Sequence, residues 1–375
     1  MKDKLVKLAD ITDVITKGTT PTTLGYTFQR EGVNFLKIEC FDEKGKFIPE
    51  KVAYISDECN ENLKRSQLQG GDILFSIAGA IGRVAIVTNE MLPANTNQAL
   101  AIIRIINKNV YIPFVKLMLT SDIVKKQFER KKQGVAQLNL SLKDIGDLEI
   151  PLPEIRVQKE YVDLFEKISN VIEKRKQELI ELDNLIKSRF VELFGDPVNN
   201  SKGLLELTLP ELGEFGRGVS KHRPRNDPKL LGGKYPLIQT GEVANSELYI
   251  ISYENTYSEL GLKQSKMWQA GTLCITIAAN IAKTAILTFD ACFPDSVVGF
   301  KANDKTNNIF IHYWFSFFQA ILEAQAPESA QKNINLKILS ELKIIVPPIE
   351  QQNDFIVFVE QVTKLKFLNN IFKML

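Results

Sequence analysis

Residues Gln69–Thr88, QGGDILFSIAGAIGRVAIVT, return two hundred positions later as QAGTLCITIAANIAKTAILT, Gln269–Thr288, with eight of the twenty positions identical. The match continues on both sides. KLADITDVITKG (7–18) answers TLPELGEFGRG (208–218), NFLKIE (34–39) answers PLIQTGE (236–242), and QLNLSLKDIGDLEIPLP (137–153) answers QKNINLKILSELKIIVPP (331–348). A period this long is no solenoid unit, where repeats run to 20–50 residues. It is a duplicated domain, and each copy runs from its proline pair into a helical segment.

Within each copy the signals are mainly strand. GDILFSIA and RVAIVT, like GTLCITIA and KTAILT, are short runs rich in Ile, Val and Thr bounded by small residues. Gly79 and Gly82 of the first copy become Ala279 and Ala282 in the second. A phosphate-cradling loop needs such glycines for backbone approach, so the spacing predicts a tight turn between strands. VYIPFVKLMLTSDIVKKQFERK (110–131) and IFIHYWFSFFQAILEAQ (309–325) each predict one buried helix, making each half α+β.

Between the halves, steps of four and three from Tyr161 give Phe165, Ile168, Ile172, Arg175, Leu179, Leu182, Ile186, Arg189 and Leu193, with charged residues filling the intervals. That is a heptad seam interrupted by two arginines. Pro153 opens the segment and FGDP (194–197) closes it. About forty residues at ~1.5 Å each give a rod on the order of 60 Å long. After Pro348 the chain offers a similar stripe in Phe355, Phe358, Val362, Leu365, Asn369 and Phe372. The alternative is that each helix packs only on its own domain; the narrow stripe favours helix on helix. The order globular–helix–globular–helix then makes the pair antiparallel and relates the halves by an approximate two-fold axis. The expected divisions are 1–153, 154–196, 197–348 and 349–375.

Counted from Pro153 and Pro348, Leu375 corresponds to Ile180, so Glu181–Phe194 have no counterpart. A short second helix, native or truncated, predicts an uncovered seam at Leu182, Ile186 and Leu193 that could serve a partner.

Catalytic patterns are missing. There is no GxxxxGK[ST] or GxGxxG loop and no NPPY- or DPPY-type tetrad. PDSVVGFK (294–301) resembles the start of a nuclease motif, but Gly299 stands where a carboxylate belongs. His222 and His312 are the two histidines, and neither has a Cys or His at metal spacing. Cys40, Cys59, Cys274 and Cys292 show no CxxC spacing and read as reduced, mostly buried thiols. The start carries no apolar signal segment, and the most apolar run (309–324) is too short and polar to span a bilayer, so a cytoplasmic protein is expected. Net charge is +2, so any nucleic-acid surface must be a local patch. These absences describe a chain that positions something and does not transform it.

A pair of arms held at fixed separation suits two DNA half-sites about one helical turn, ~34 Å, apart. The motifs LQGGDILFSIAGAIGRVAI (68–86), YPLIQTGEV (235–243), LNLSLKDIGDLEIPLPEIRVQ (138–158) and LDNLIKSRFVELFGDP (182–197), with the duplicated order, resemble the specificity subunit of type I restriction–modification systems over essentially the whole chain. The resemblance implies two target recognition domains separated by long antiparallel spacer helices that set the gap between two halves of a split DNA site. It implies two modification (methyltransferase) subunits docked on the chain, which bind S-adenosylmethionine and methylate adenine, and motor-nuclease subunits in the full complex. The chain itself would hold no cofactor or metal and catalyse nothing. The competing readings are a non-catalytic protein-binding scaffold and, least supported, an enzyme with an unrecognised site.

The resemblance hands over no base-contacting residues, so candidates rest on chemistry. SKHRPRNDPK (220–229) places Lys221, His222, Arg223 and Arg225 in one loop, suited to guanine edges and phosphates or else simply solvated. Gln239 and Thr240 sit at a turn where the amide could read adenine or cap its own turn. Lys263, Gln264 and Lys266 follow, matched in the first half by Arg65. The first-half loop TKGTTPTT (16–23) offers Lys17, Thr19 and Thr20, for which a capping or turn role is the default. Arg83 and Lys283 are equivalent, so they read as scaffold or backbone contacts. Positions that agree between the copies belong to the scaffold; those that differ are where specificity is sought.

Overall fold

The structure, a computed structural model, describes residues 5–129, 139–325 and 334–374; for 318–325 and 367–374 it describes the backbone alone. The chain divides into two compact units, Met1–Val171 and Ile172–Leu375, with the boundary inside one long helix.

In the first unit, β1 (Leu5–Lys7) pairs antiparallel with the last strand, β9 (Glu149–Pro151). A four-stranded antiparallel sheet runs β2 (Val14–Lys17), β8 (Leu100–Arg104), β5 (Ile73–Ser76), β6 (Val84–Ile86). A three-stranded sheet has β3 (Val33–Leu36) between β4 (Ala53–Ile55), antiparallel, and β7 (Ala94–Thr96), parallel. Helices α1 (Asp57–Asn62), α2 (Ile112–Leu119), α3 (Asp122–Glu129) and α4 (Leu142–Gly146) complete it.

Alternation along β5 explains why Ile73, Leu74 and Phe75 are all apolar. Ile73 and Phe75 face a core with Val115, Val124 and Phe128 of α2 and α3, while Leu74 faces a second core with Leu36, Phe41 and Met91. Both faces are covered, and the buried Ser76 that follows has its hydroxyl satisfied by donation to Ala78 O. Each such side chain contributes about 1.5–3 kcal/mol by leaving water.

The second unit repeats the plan. After α5 (Ile155–Phe194), β10 (Glu206–Leu207) pairs with β20 (Ile344–Ile345). The main sheet runs β11 (Gly213–Arg217), β19 (Val297–Ala302), β16 (Leu273–Thr276), β17 (Thr284–Leu287), with β13 (Tyr249–Ile250) added at its edge. The smaller sheet runs β14 (Asn255–Tyr257), β12 (Leu231–Leu237), β18 (Ala291–Cys292), β15 (Met267–Trp268), again with one parallel pairing, β12 with β18. The helices are α6 (Leu209–Leu212), α7 (Thr240–Asn245), α8 (Glu259–Lys263), α9 (Asn308–Gln325), α10 (Leu336–Glu341) and α11 (Ile349–Met374). The two halves are α+β domains of one design.

The repeated stretch folds as a tight turn in both copies. Gly79 and Gly82 adopt φ +71° and +86°, and Ala279 and Ala282 keep the same left-handed conformation at +61° and +57°. Ser76 N donates to Arg83 O and Gly82 N to Ser76 O; Thr276 N donates to Lys283 O and Ala282 N to Thr276 O. The predicted buried helix, by contrast, is single only in the second unit. In the first it breaks after Leu119, where Thr120 Oγ1 and Ser121 Oγ donate back to the carbonyls of Lys116, Leu117 and Met118 and close the turn.

Each long helix is pinned at its start by a buried glutamine. Gln158 accepts from Tyr111 N (2.8 Å) and donates to Asn109 O and Pro153 O. Gln352 accepts from Thr306 Oγ1 (3.0 Å) and donates to Lys305 O and Pro347 O. This equates Pro153 with Pro347, one residue from the sequence-based pairing with Pro348. α5 ends where FGDP predicts, with Gly195 at φ +76° donating to Val191 O.

α11 runs antiparallel to the C-terminal half of α5. Phe355 lies 5.4 Å from the Phe190 ring and 5.7 Å from Phe194, and Lys366 Nζ reaches Asp183 Oδ1 at 2.7 Å. The seam differs from the heptad expectation. Ile186, Phe190 and Phe194 are fully buried, with Leu182 packed beside them, so the covered stripe steps by four. A straight helix keeps that spacing when it lies on a domain, and α9 covers this face too, with Phe310 stacked at 5.3 Å on Phe190. Phe355 and Val362 are buried and Phe358 partly so, but Leu365 is 53% exposed, and Leu179 is only partly buried. Asn369 and Phe372 lie outside the described side chains.

The uncovered seam is therefore at the other end of α5 from the one expected. Leu182, Ile186 and Leu193 are packed, whereas Phe165, Ile168 and Ile172 are 46–47% exposed. The reason is directional: α11 begins beside Phe194 and runs back, so it covers the end of α5 first.

Candidate nucleic-acid interface

The loops that differ between the copies spring from the same scaffold points. Gly18 and Gly218 directly follow the first strands of the two main sheets, β2 and β11. A Cβ on either would fall 1.9 Å from Thr96 O or 2.2 Å from Phe293 O, so the chain passes too close for any side chain. Beyond them run the two candidate loops.

In the second unit the basic loop is anchored from below. Lys221 N and His222 N both donate to Gln264 Oε1, at 2.7 and 3.1 Å, and Ser265 Oγ donates to Val219 O. Gln264, a candidate contact from sequence, therefore spends its oxygen on the loop's own backbone. Its Nε2 and Ser220 Oγ are buried without partners among the described residues. His222 Nε2 lies 3.1 Å from Asp227 Oδ2, and the Asp227 carboxyl is held below its usual range, first by Lys229 N–H and then by His222.

Asp295 organises the arginines. Arg225 Nη2 donates to Asp295 Oδ1, Arg223 Nη2 stands 3.5 Å from Asp295 Oδ2, and Arg223 Nη1 donates to Ser220 O and His222 O. Arg223 is thus committed to holding the loop. Among the described residues Arg225 has no partner but Asp295, and its remaining guanidinium edge is open. Lys221 and Lys263 are exposed. Lys266 leans over the Trp268 ring, 3.8 Å from its centroid, and lies 3.7 Å from Glu214.

Gln239 is the N-cap of α7 and Thr240 its first residue. Glu242 Oε2 accepts Gln239 N at 3.1 Å at this cap, and the Gln239 side chain is exposed. In the first unit Lys17 ends β2, exposed, and Thr19 and Thr20 begin the shorter loop. Thr20 Oγ1 donates to Gln98 Oε1, and Thr23 Oγ1 to Thr20 O. Arg65 is exposed in a short 3-10 turn. Arg83 and Lys283 lie at the repeated turn, where Arg83 Nη1 donates to Phe41 O and Lys283 N to Thr276 Oγ1.

Sequence reasoning missed Asp295 and Gln98. The only signal was PDSVVGFK, whose aspartate looked like a failed nuclease carboxylate and proves to be the partner of two arginines.

Elsewhere in the second unit a cleft of about 920 Å³ is lined by Asp183, Glu242, Glu247, Tyr249, His312 and Lys366. Lys366 is 7% exposed and hydrogen-bonded to Asp183 and Glu247. Burial alone would lower its pKa, but the two carboxylates reverse that and keep the ammonium charged. His312 accepts or donates at Nδ1 to Thr284 Oγ1, and its pKa is pushed down to about 4 by burial, with the Lys366 charge adding to the effect. All four cysteines are free and buried. Among the described residues no cluster of metal-ligating side chains occurs, and no helix is long and apolar enough to cross a membrane.

Comparison with known proteins follows the same division. A family profile described as the type I restriction modification DNA specificity domain matches residues 2–183 and again 206–373. The putative type I restriction enzyme MjaX specificity subunit of Methanocaldococcus jannaschii is 25% identical over 363 residues, 92% of this chain and 83% of that one. The type I restriction enzyme EcoBI specificity subunit of Escherichia coli is 30% identical over 171 residues, 44% of this chain and 35% of that one. A chain solved in work on complex assembly and conformational transition of the type I R-M system superposes with TM-score 0.67 at 18% identity, covering 100% of this chain and 94% of that one. The S subunit of a type I system from M. genitalium superposes with TM-score 0.51 at 14% identity, covering 99% and 94%. With its profile matched once in each copy of the repeat, the chain belongs to the type I restriction modification DNA specificity domain family.

Proposed function

We propose that this chain is the non-catalytic subunit that selects the DNA site of a type I restriction–modification complex, each globular half reading one part of a split, asymmetric sequence in double-stranded DNA. The observation that carries the reading is the contrast within the repeat: one scaffold with one turn conformation, bearing loops of different charge at the same points. Identical arms would read a symmetric site; these do not match. The recognition positions are proposed to be Arg225, Lys221 and His222, with Lys263, Gln239 and Thr240 in the same half, and Lys17, Thr19, Thr20 and Arg65 in the first half. Segments 1–153 and 197–348 serve as the recognition domains, and 154–196 and 349–375 as the spacers on which two modification subunits dock. S-adenosylmethionine and adenine methylation belong to those partners, and motor-nuclease subunits complete the restricting assembly in the cytoplasm.

The test is long-read mapping of N6-methyladenine in cells carrying this gene with its neighbouring modification gene. A split motif with an unspecified gap is expected. Deleting 220–229 should erase the specified bases of one half only. If no motif depends on the chain, the protein-binding scaffold becomes the better account.

A further inference from the structure

The two candidate loops are tied down at one equivalent position, and the ties differ in chemistry. Ile77 N donates to Ala99 O and Ile277 N to Ser296 O, at the same step of the repeated stretch. The residues just before those carbonyls are Gln98 and Asp295. Gly18 packs on the backbone of Thr96 and Asn97, and Gly218 on that of Phe293 and Pro294, which fixes the same correspondence from the loop side. Gln98 then receives Thr20, and Asp295 receives Arg225 and Arg223.

We infer that Asp295 is a specificity-determining residue that buttresses Arg225 for reading a guanine, and that Gln98 with Thr20 is the neutral counterpart that gives the first half a different reading at the same place. This rests on the DNA-reading function proposed above.

The geometry separates two arginines that sequence treats alike. Arg223 uses Nη1 on two loop carbonyls, so it fixes the loop. Arg225 is held at one Nη2 hydrogen bond, with its other guanidinium N–H groups unpartnered among the described residues. A guanidinium held on one side by a carboxylate presents a fixed fork on the other, which is the shape that meets guanine O6 and N7. Holding a long side chain in that pose before binding lowers the ordering cost at the moment of recognition. The tie is exposed, with Asp295 33% and Arg225 46% accessible, so it orients the arginine without sequestering it.

The experiment is a double-mutant comparison using the full chain in complex with its modification subunits, on duplex libraries randomised across both half-sites. R225A should lower discrimination at a single base pair of the second half by about ten- to a hundredfold. D295N should lower it at that same base pair by about two- to fivefold, and D295E should restore most of it. In the R225A background D295N should add nothing, because Asp295 acts through Arg225. First-half discrimination should stay unchanged throughout. The inference is overturned if D295N matches the wild type, if its effect adds fully to that of R225A, or if it blurs every position of the second half alike, which marks a loop that has merely lost its shape. A wild-type complex with no preferred sequence would instead remove the DNA-reading function itself.

Discussion

The two copies of the repeat agree where their residues differ and differ where their positions agree. At the turn, glycines in one copy and alanines in the other take the same left-handed backbone. At the loop tether, one position carries Gln98 in the first copy and Asp295 in the second, holding a hydroxyl in one case and two guanidiniums in the other. The turn shows that the scaffold imposes its conformation even on residues that disfavour it. The tether shows that the same scaffold leaves the chemistry above it free to change.

The largest effect that would sharpen this comparison concerns the two ends of α5. Phe190→Ala removes a fully buried ring from the aromatic cluster with Phe194, Phe310 and Phe355 and should destabilise the second unit by about 3–5 kcal/mol. Phe165→Ala, on the exposed stretch of the same helix, should stay within about 0.5 kcal/mol. Denaturant unfolding of the two variants distinguishes them; equal costs would mean that the exposed stretch is covered in solution.

Next is acidity, to which only the second copy should respond through histidine, since the first contains none. The His312 pKa falls from 6.5 to about 4 in the folded chain. Between those values the unfolded chain binds a proton that the folded one refuses. Stability therefore falls as pH drops through that window, by on the order of 3 kcal/mol in total. His312→Gln should flatten the pH dependence of the second unit's melting between pH 6.5 and 4, and an unchanged slope would place its origin elsewhere.

The glutamine pins should cost alike in both copies. Gln158→Ala and Gln352→Ala each strand buried backbone groups, and each should lose about 1–3 kcal/mol in thermal unfolding of its own unit. A large inequality would break the equivalence of the two joints.

The smallest effect is at the turn. Ala279→Gly relieves a left-handed non-glycine residue and should gain about 0.5 kcal/mol after the extra chain entropy is deducted. Gly82→Ala should lose more than that, because its Cβ would fall 2.9 Å from the Phe128 ring. Melting midpoints moving in the same direction for both would contradict a shared turn with unequal surroundings.

Much of this architecture was legible because it is local. The strand runs, the turn with its Gly-to-Ala exchange, the helix start at Pro153 and its stop at FGDP all follow from propensity and punctuation. The seam was only half legible. Periodicity reveals that a helix has an apolar face, but not what covers it, so the heptad stripe includes exposed Phe165 and Leu365 and leaves out buried Phe190 and Phe194. Lys366 was hidden for a related reason: a lysine reads as solvated, and only the fold brings Asp183 and Glu247 to it. The candidate loop was found from its charge, yet Asp295 lies seventy positions from Arg225, a separation that no short-range pattern spans.

The glutamine pins also bear on how such chains diversify. Gln158 grips Tyr111 N, Asn109 O and Pro153 O, all main-chain atoms, and Gln352 grips Lys305 O, Pro347 O and one threonine hydroxyl. A joint that recognises backbone is nearly blind to side-chain identity. Substitutions at Asn109, Tyr111, Lys305 and Pro347 that keep this backbone path leave the glutamine's main-chain partners in place. The residues around each joint can therefore drift in sequence while the angle at which the helix leaves its domain is kept.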